Sequence, residues 1–300
     1  MRRLVAVAIA GCLVLTACSG QKPAGSASPG AIRVVATTTV FADFVRSIGG
    51  GRVVVDSLVP KGGDVHTFDP RPSDVARVAD AQLVVANGLG LDEWLAKLAT
   101  DSGTGAPILR LAESVSPSRY IVEHGIPNPH LWLDPDDATT YGGAIAAALT
   151  RLDPAGAAVF AENARAFGAQ MATLKQWGRD LVGALPAANR KLIAFHDALP
   201  YLARAYGLEI AGVILKAPGQ DPSASDIAAL VDAIRANHIR VVVSEVQFSD
   251  KLARTIANET GATIVSDLYD DSLGDPPIDS YDALVRYDLE HLVAGLKGSG

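Results

Sequence analysis

The chain has 300 residues, with 26 Lys and Arg against 33 Asp and Glu, a formal net charge of −7. That acidic balance argues against nucleic acid as a partner, while a hydrophobic fraction of 49 % is ample for a sizeable core. Both cysteines, Cys12 and Cys18, lie near the N-terminus, so the folded body has no disulfide framework and must be stabilised by burial.

Arg2 and Arg3 precede an apolar stretch from Leu4 to Leu15, which is too short to span a bilayer but has the length of a signal-peptide core. Leu15-Thr16-Ala17-Cys18 follows and resembles a bacterial lipobox, which makes residues 1–17 a signal peptide and Cys18 the lipidated first residue of the mature chain. Ser19 to Gly30 contains only Ser, Gly, Gln, Lys, Pro and Ala and cannot bury apolar area; residues 18–30 therefore read as a lipidated flexible tether. The expected location is extracytoplasmic, anchored to the cell membrane through lipid or periplasmic.

The body alternates strand and helix. Ile32 to Ala36 reads as a strand leading through Thr37-Thr38-Thr39 to a helix with Phe41, Phe44, Val45 and Ile48 on one face, stopped by Gly49-Gly50-Gly51. Val53 to Val59 and Ala81 to Ala86 are further strands, the latter opening at Asn87 to Gly90 into a helix from Asp92 to Leu98. The second half repeats the grammar with a strand from Lys191 to Phe195, a helix from Ala198 to Tyr206, strands at Ile210 to Leu215 and Val241 to Ser244, and a helix from Lys251 to Thr260. Such alternation predicts an α/β fold with mainly parallel sheets.

Between the halves, Asp153 can cap a helix, Pro154 suits its first turn and Pro186 ends it. Phe160, Ala164, Phe167, Met171, Leu174, Gly178 and Leu181 recur at spacings of four and three, one stripe along a rod of about 45 Å at 1.5 Å per residue. A rod of that length can join two lobes, although Gly168 and Gly178 are places where it could break into two helices. The expected organisation is an N-terminal lobe over 31–152, a linking helix over 153–185 and a C-terminal lobe over 186–296.

Three histidines stand 64 and 66 residues apart, His66, His130 and His196, and a carboxylate cluster around Asp271 follows 75 residues later. Zinc and manganese sites need imidazoles and carboxylates gathered from several elements, so ligands spaced this widely suggest a site between lobes. Each histidine also has an ordinary reading: His66 as an exposed turn residue in a Gly/Pro-rich loop, His130 as packed beside Trp132, His196 as a capping residue before Asp197. His196 directly follows a strand, where open α/β sheets place their ligands. His124, His238 and His291 have no matching spacing and read as peripheral.

Four segments together carry a resemblance: the loop Pro60 to Pro70, the run Asn128-Pro129-His130-Leu131-Trp132-Leu133-Asp134-Pro135, the segment Phe195 to Tyr201, and Leu268-Tyr269-Asp270-Asp271-Ser272-Leu273-Gly274. In order and spacing they resemble the ligand motifs of the zinc and manganese solute-binding proteins of ABC importers, over about residues 31 to 296. The resemblance implies two lobes joined by one long rigid helix, and one metal ion held between them by His66, His130, His196 and Asp271. It also implies a membrane permease and its cytoplasmic ATPase as partners. Asp267 and Asp270 are the alternative carboxylates, and Asp69, Asp134 and Glu245 are candidates to orient the histidines.

Two departures from the family pattern matter. The His-rich, acidic insertion that many zinc members carry ahead of the second motif is absent, since Arg119 to Asn128 is short and holds only His124. Manganese members commonly have Glu at the third position, whereas this chain has His196; three imidazoles and one carboxylate favour Zn2+, with Mn2+ the alternative. A zinc hydrolase is the competing class, but the chain has no His-Glu-x-x-His, Gly-x-Ser-x-Gly or Cys-x-x-Cys motif, so no enzymatic activity is expected. An organic-solute binder would favour aromatic walls, and aromatics are only 6 % here. An additional adhesin role stays open at this level.

Overall fold

The computed structural model describes residues 30–123, 125–216 and 219–298. The signal peptide, nearly all of the tether with Cys18, and His124 lie outside the described residues.

The chain folds as two α/β lobes. The first contains β1 (Ile32–Ala36), α1 (Thr39–Gly49), β2 (Val53–Ser57), α2 (Pro72–Ala79), β3 (Leu83–Ala86), α3 (Trp94–Ser102) and β4 (Ile108–Arg110). A short hairpin, β5 (Val122–Glu123) and β6 (Ile126–Pro127), leads to α4 (Pro135–Leu152), and then α5 (Ala157–Gly183) runs toward the second lobe. That lobe comprises β7 (Lys191–His196), α6 (Pro200–Tyr206), β8 (Glu209–Leu215), α7 (Ala224–Ala236), β9 (Val241–Glu245), α8 (Lys251–Thr260), β10 (Thr263–Leu268) and α9 (Tyr281–Lys297).

Both four-stranded sheets are parallel, and they share one topology: β2-β1-β3-β4 in the first lobe and β8-β7-β9-β10 in the second. In each, the strand order reverses between the first and third strands, which opens a crevice at their carboxyl ends. The central strands are apolar along their length because both faces are covered. Val34 and Ala36 face the large shared core while Val35 packs outward with Val78, Leu95 and Leu98; Leu192 and Ala194 face the same core while Ile193 and Phe195 pack outward with Ile234 and Ile256.

Helix α5 contacts α1 and α4 of the first lobe and α6 and α9 of the second, so the two inner faces close on one continuous core. Phe160, Phe167, Met171, Leu174 and Gly178 of the expected stripe are buried, and Ala164 and Leu181 are half-buried. The helix starts at Ala157 rather than 153 because Asp153 caps a separate tight turn, Pro154–Gly156, accepting from the Gly156 amide. It does not break at Gly168 or Gly178. Tyr206 and Leu289 press against Gly178 so closely that a Cβ there would lie 2.4 Å from Tyr206 Cε1 and 2.6 Å from Leu289 Cδ1. This packing offsets the helix cost of glycine, about 1 kcal/mol.

Among the boundaries that differ from expectation, three do so for identifiable local reasons. β2 ends at Ser57, whose hydroxyl turns back to the Val59 carbonyl. The helix expected from Asp92 begins at Trp94, because the Asp92 carboxylate instead accepts from Thr37 Oγ1 (2.8 Å) and from the Asn87 and Gly88 amides (2.7 and 3.0 Å). The helix expected from Ala198 begins at Pro200.

A buried ion cluster ties the elements behind the crevice. Asp134, the N-cap of α4, meets Lys175 of α5 at 2.6 Å, Arg204 of α6 at 3.1 Å and Arg119 at 3.2 Å, and Asp137 also pairs with Arg119 and Arg204.

Candidate metal centre

Each of the four expected donors is held by its own element. His66 lies on the loop after β2, where Asp64 Oδ1 accepts from the His66 amide (2.8 Å) and Asp64 Oδ2 from Thr67 Oγ1 (2.6 Å). His130 lies between β6 and α4. Asn128 Oδ1 stands 3.0 Å from both its amide and its Nδ1, which places the proton on Nδ1 and leaves the Nε2 lone pair free. Asn128 is in turn fixed by donating to the Asp197 carbonyl and carboxylate, while Tyr201 Oη donates to its backbone oxygen. His196 is the last residue of β7, at the crevice end of the sheet. Asp271 sits on the loop between β10 and α9, which the first lobe grips through Trp132 Nε1 to the Asp270 carbonyl (3.0 Å), Gly62 N to Ser272 Oγ (2.8 Å) and Leu273 N to Thr39 Oγ1 (2.7 Å).

These loops bring the side chains together. His66 Nε2 and His130 Nε2 are 3.2 Å apart, Asp271 Oδ1 is 3.8 Å from His130 Nε2, and Asp271 Oδ2 is 3.9 Å from His66 Nε2. The His196 ring centroid is 5.3 Å from that of His130 and 5.8 Å from that of His66. With metal bonds of about 2.0–2.2 Å, two donors on a tetrahedral ion stand about 3.3–3.6 Å apart, and the observed 3.2, 3.8 and 3.9 Å fall within about 0.3 Å on either side of that range. They leave no space for an organic solute.

The electrostatics point the same way. Burial lowers His66 to about 4, helped by the charge on His196, and burial likewise holds His130 well below the ordinary histidine range. Burial opposes charge on His196 too, but the carboxylates of Asp270, Glu245 and Asp271 outweigh it and push this imidazole up to about 10. Burial raises Asp270 to about 6 and, with the neighbouring Asp270 charge, lifts Asp271 well above the usual carboxylate range. Both oxygens of Asp271 and Glu245, both ring nitrogens of His196 and Asp270 Oδ2 are buried without a hydrogen-bond partner. Carboxylates buried without hydrogen-bond donors are costly to charge, and a divalent cation among them would lower that cost.

Other expectations fare unevenly. Glu245, at the end of β9, stands 3.6 Å from His196 Nδ1 and is placed to orient that ring. Asp69 is exposed, and Asp134 belongs to the ion cluster, so neither faces a histidine of the site. Asn128 does for His130 what a carboxylate was expected to do; nothing in the pattern of the run distinguishes it from a turn residue. Asp267 is exposed with φ +64 and turns to Ser266 Oγ, away from the cluster. Asp270 points inward, 3.4 Å from His196 Nε2. His238 and His291 are exposed, the latter lying against Tyr287.

Residues 34–295 match the family model described as zinc-uptake complex component A, periplasmic. The chain belongs to this family. Among its relatives, the iron-binding protein YfeA of Yersinia pestis is 32 % identical over 267 residues, covering 88 % of this chain and 86 % of that protein. The manganese-binding lipoprotein MntA of Halalkalibacterium halodurans is 26 % identical over 286 residues, 95 % of each. Among solved structures, the periplasmic zinc binding protein TroA from Treponema pallidum matches with a TM-score of 0.83 at 25 % identity, covering 89 % of this chain and 99 % of that one. The family member described here is thus a metal-binding solute-binding protein of the ABC-importer type. Among the described residues, no helix is long and apolar enough to cross a membrane.

Proposed function

We propose that this chain captures one divalent transition-metal ion, Zn2+ in preference to Mn2+, through His66, His130, His196 and Asp271, and hands it to an ABC permease driven by a cytoplasmic ATPase. The observation that carries the reading is the convergence of four donors from both lobes on one buried point, where the Asp271 oxygens and the His196 ring nitrogens have no hydrogen-bond partner. Three neutral imidazoles and one carboxylate suit Zn2+, and four protein ligands leave no open position for an activated water, so the site binds rather than catalyses. Relatives named for iron and manganese keep a harder ion as the alternative cargo. In this reading 31–152 and 186–296 are the lobes, 153–185 is a stiff link, and Cys18 holds the mature chain to the membrane by a diacylglyceryl anchor outside the cytoplasm.

The test is elemental analysis of the mature protein with a chelator-competition titration. One zinc per chain is expected, with binding greatly weakened in His130→Ala. Zero stoichiometry after exposure to excess zinc, or undiminished affinity in the variant, refutes the proposal.

A further inference from the structure

His130 reaches the site from the first lobe, yet the hydrogen bonds that set its ring lead into the second. Its Nδ1 and its backbone N–H both face Asn128 Oδ1 at 3.0 Å, so the direction of the imidazole follows that of one buried amide group. That amide is oriented from its other end: Asn128 Nδ2 donates to the Asp197 carbonyl at 2.6 Å and to the Asp197 carboxylate at 2.9 Å. Asp197 immediately follows His196 at the end of β7 and belongs to the second lobe. Tyr201 pins the same segment by its backbone. Its hydroxyl accepts from the Ile121 amide and donates to the Asn128 carbonyl, both at 2.9 Å, at the base of the β5–β6 hairpin, where Asn128 N closes on the Ile121 carbonyl at 2.8 Å. Arg204 donates to the Arg119 carbonyl at 2.6 Å. Residues 197, 201 and 204 thus recur at the spacing of one face of α6 and the turn before it, and all three hold the segment that carries His130. The first lobe's counterpart is Asn87 Nδ2, which donates to the Pro129 carbonyl at 2.9 Å and fixes backbone rather than ring.

We propose that Asp197 and Tyr201 are positioning residues for metal capture: acting from the second lobe through Asn128, they present the His130 ring, so that the orientation of this ligand depends on contact between the lobes. The inference rests on the ligand set proposed above. Two Asp197 oxygens that accept from Nδ2 leave Oδ1 as the end of the amide facing His130; turning Nδ2 toward the ring instead would set donor against donor and strand the Asp197 oxygens. The turn after β7 carries His196 on one side and the grip on Asn128 on the other, which couples the two imidazoles that face each other across the lobe boundary. A movement that draws this turn away from Asn128 frees the amide, and with it the tautomer and direction of His130.

The rate at which zinc passes from the loaded protein to excess chelator tests this. Asp197→Ala should release zinc about three- to tenfold faster than wild type, less than the about 10–100-fold typical of a group that touches the ligand itself. Asp197→Asn, which keeps an acceptor oxygen for Asn128 Nδ2, should stay within about twofold of wild type. In an Asn128→Ala background, Asp197→Ala should add nothing, because its route to His130 is already cut. Tyr201→Phe, which removes a single oxygen, should also speed release, and it serves as the readout if Asp197→Ala does not fold. Losses that add in the double variant put the effect of Asp197 on His196 instead of His130 and overturn the proposal. So does a failure of Asp197→Asn to rescue, or a loss of stability in urea with zinc release unchanged. If wild type binds zinc and loses it with His130→Ala while Asp197→Ala and Tyr201→Phe are silent, only the positioning across the lobes fails; if wild type binds no zinc, the ligand set fails and this inference with it.

Discussion

Replacing Asn128 by Ala tests whether the metal centre depends on a neutral side chain that touches no ion. Asn128 Oδ1 accepts from the His130 amide and stands against His130 Nδ1, both at 3.0 Å, and its Nδ2 donates to Asp197 at 2.6 and 2.9 Å. Truncation leaves the His130 N–H groups without an acceptor in a place that is 2 % exposed, a cost of about 1–3 kcal/mol to folding. It also frees the ring to rotate or to carry its proton on Nε2, the nitrogen proposed to bind the ion. Loss of such an orienting partner typically weakens metal binding by about 10–100-fold, or about 1.4–2.8 kcal/mol. The assay is a zinc competition titration on the folded variant, with urea unfolding of the metal-free protein measured in parallel. Affinity within about twofold of wild type, alongside a clear loss of stability, would show that Asn128 serves the fold alone and refute the orienting role.

Zinc uptake at neutral pH should expel at least one proton, because His196 is raised to about 10 and is therefore charged without metal, whereas His66 (about 4) and His130 are already neutral. Affinity should accordingly rise by about tenfold per pH unit between roughly pH 7 and 10, and calorimetry in buffers of different ionisation enthalpy should show it; a buffer-independent heat contradicts this. Gly178→Ala should destabilise the protein by about 1–2 kcal/mol in urea unfolding, since overpacking against Tyr206 and Leu289 exceeds the gain in helix propensity; a more stable variant would mean the contact yields freely. With α5 packed on both lobes around one core, solution scattering of metal-free and zinc-loaded protein should nearly coincide, while hydrogen exchange near Asp271 should slow on binding; a large compaction would rule out a rigid link.

Much of this molecule can be read from local pattern. Strands such as Leu192 to Phe195 are legible because burial on both faces demands an unbroken apolar run, and α5 because a stripe at spacings of four and three can only be covered along one helix face. His66, His130, His196 and Asp271 could be singled out because metal chemistry restricts the residue types and the motifs recur in a fixed order. Tertiary structure alone decided the rest. Whether α5 breaks at Gly178 depends on Tyr206 and Leu289, which arrive from 28 and 111 residues away, and whether Asp92 starts a helix depends on Thr37 offering it a hydroxyl. The same holds at the centre: Asp267, Asp270 and Asp271 are equivalent carboxylates as a string of letters, yet one turns to solvent at φ +64, one is aimed by Gln247 at His196, and one bridges toward His66 and His130. Residue type determines what a side chain can bind. Its direction, its burial and the partner that holds its proton are set by distant segments, and those three things make a ligand.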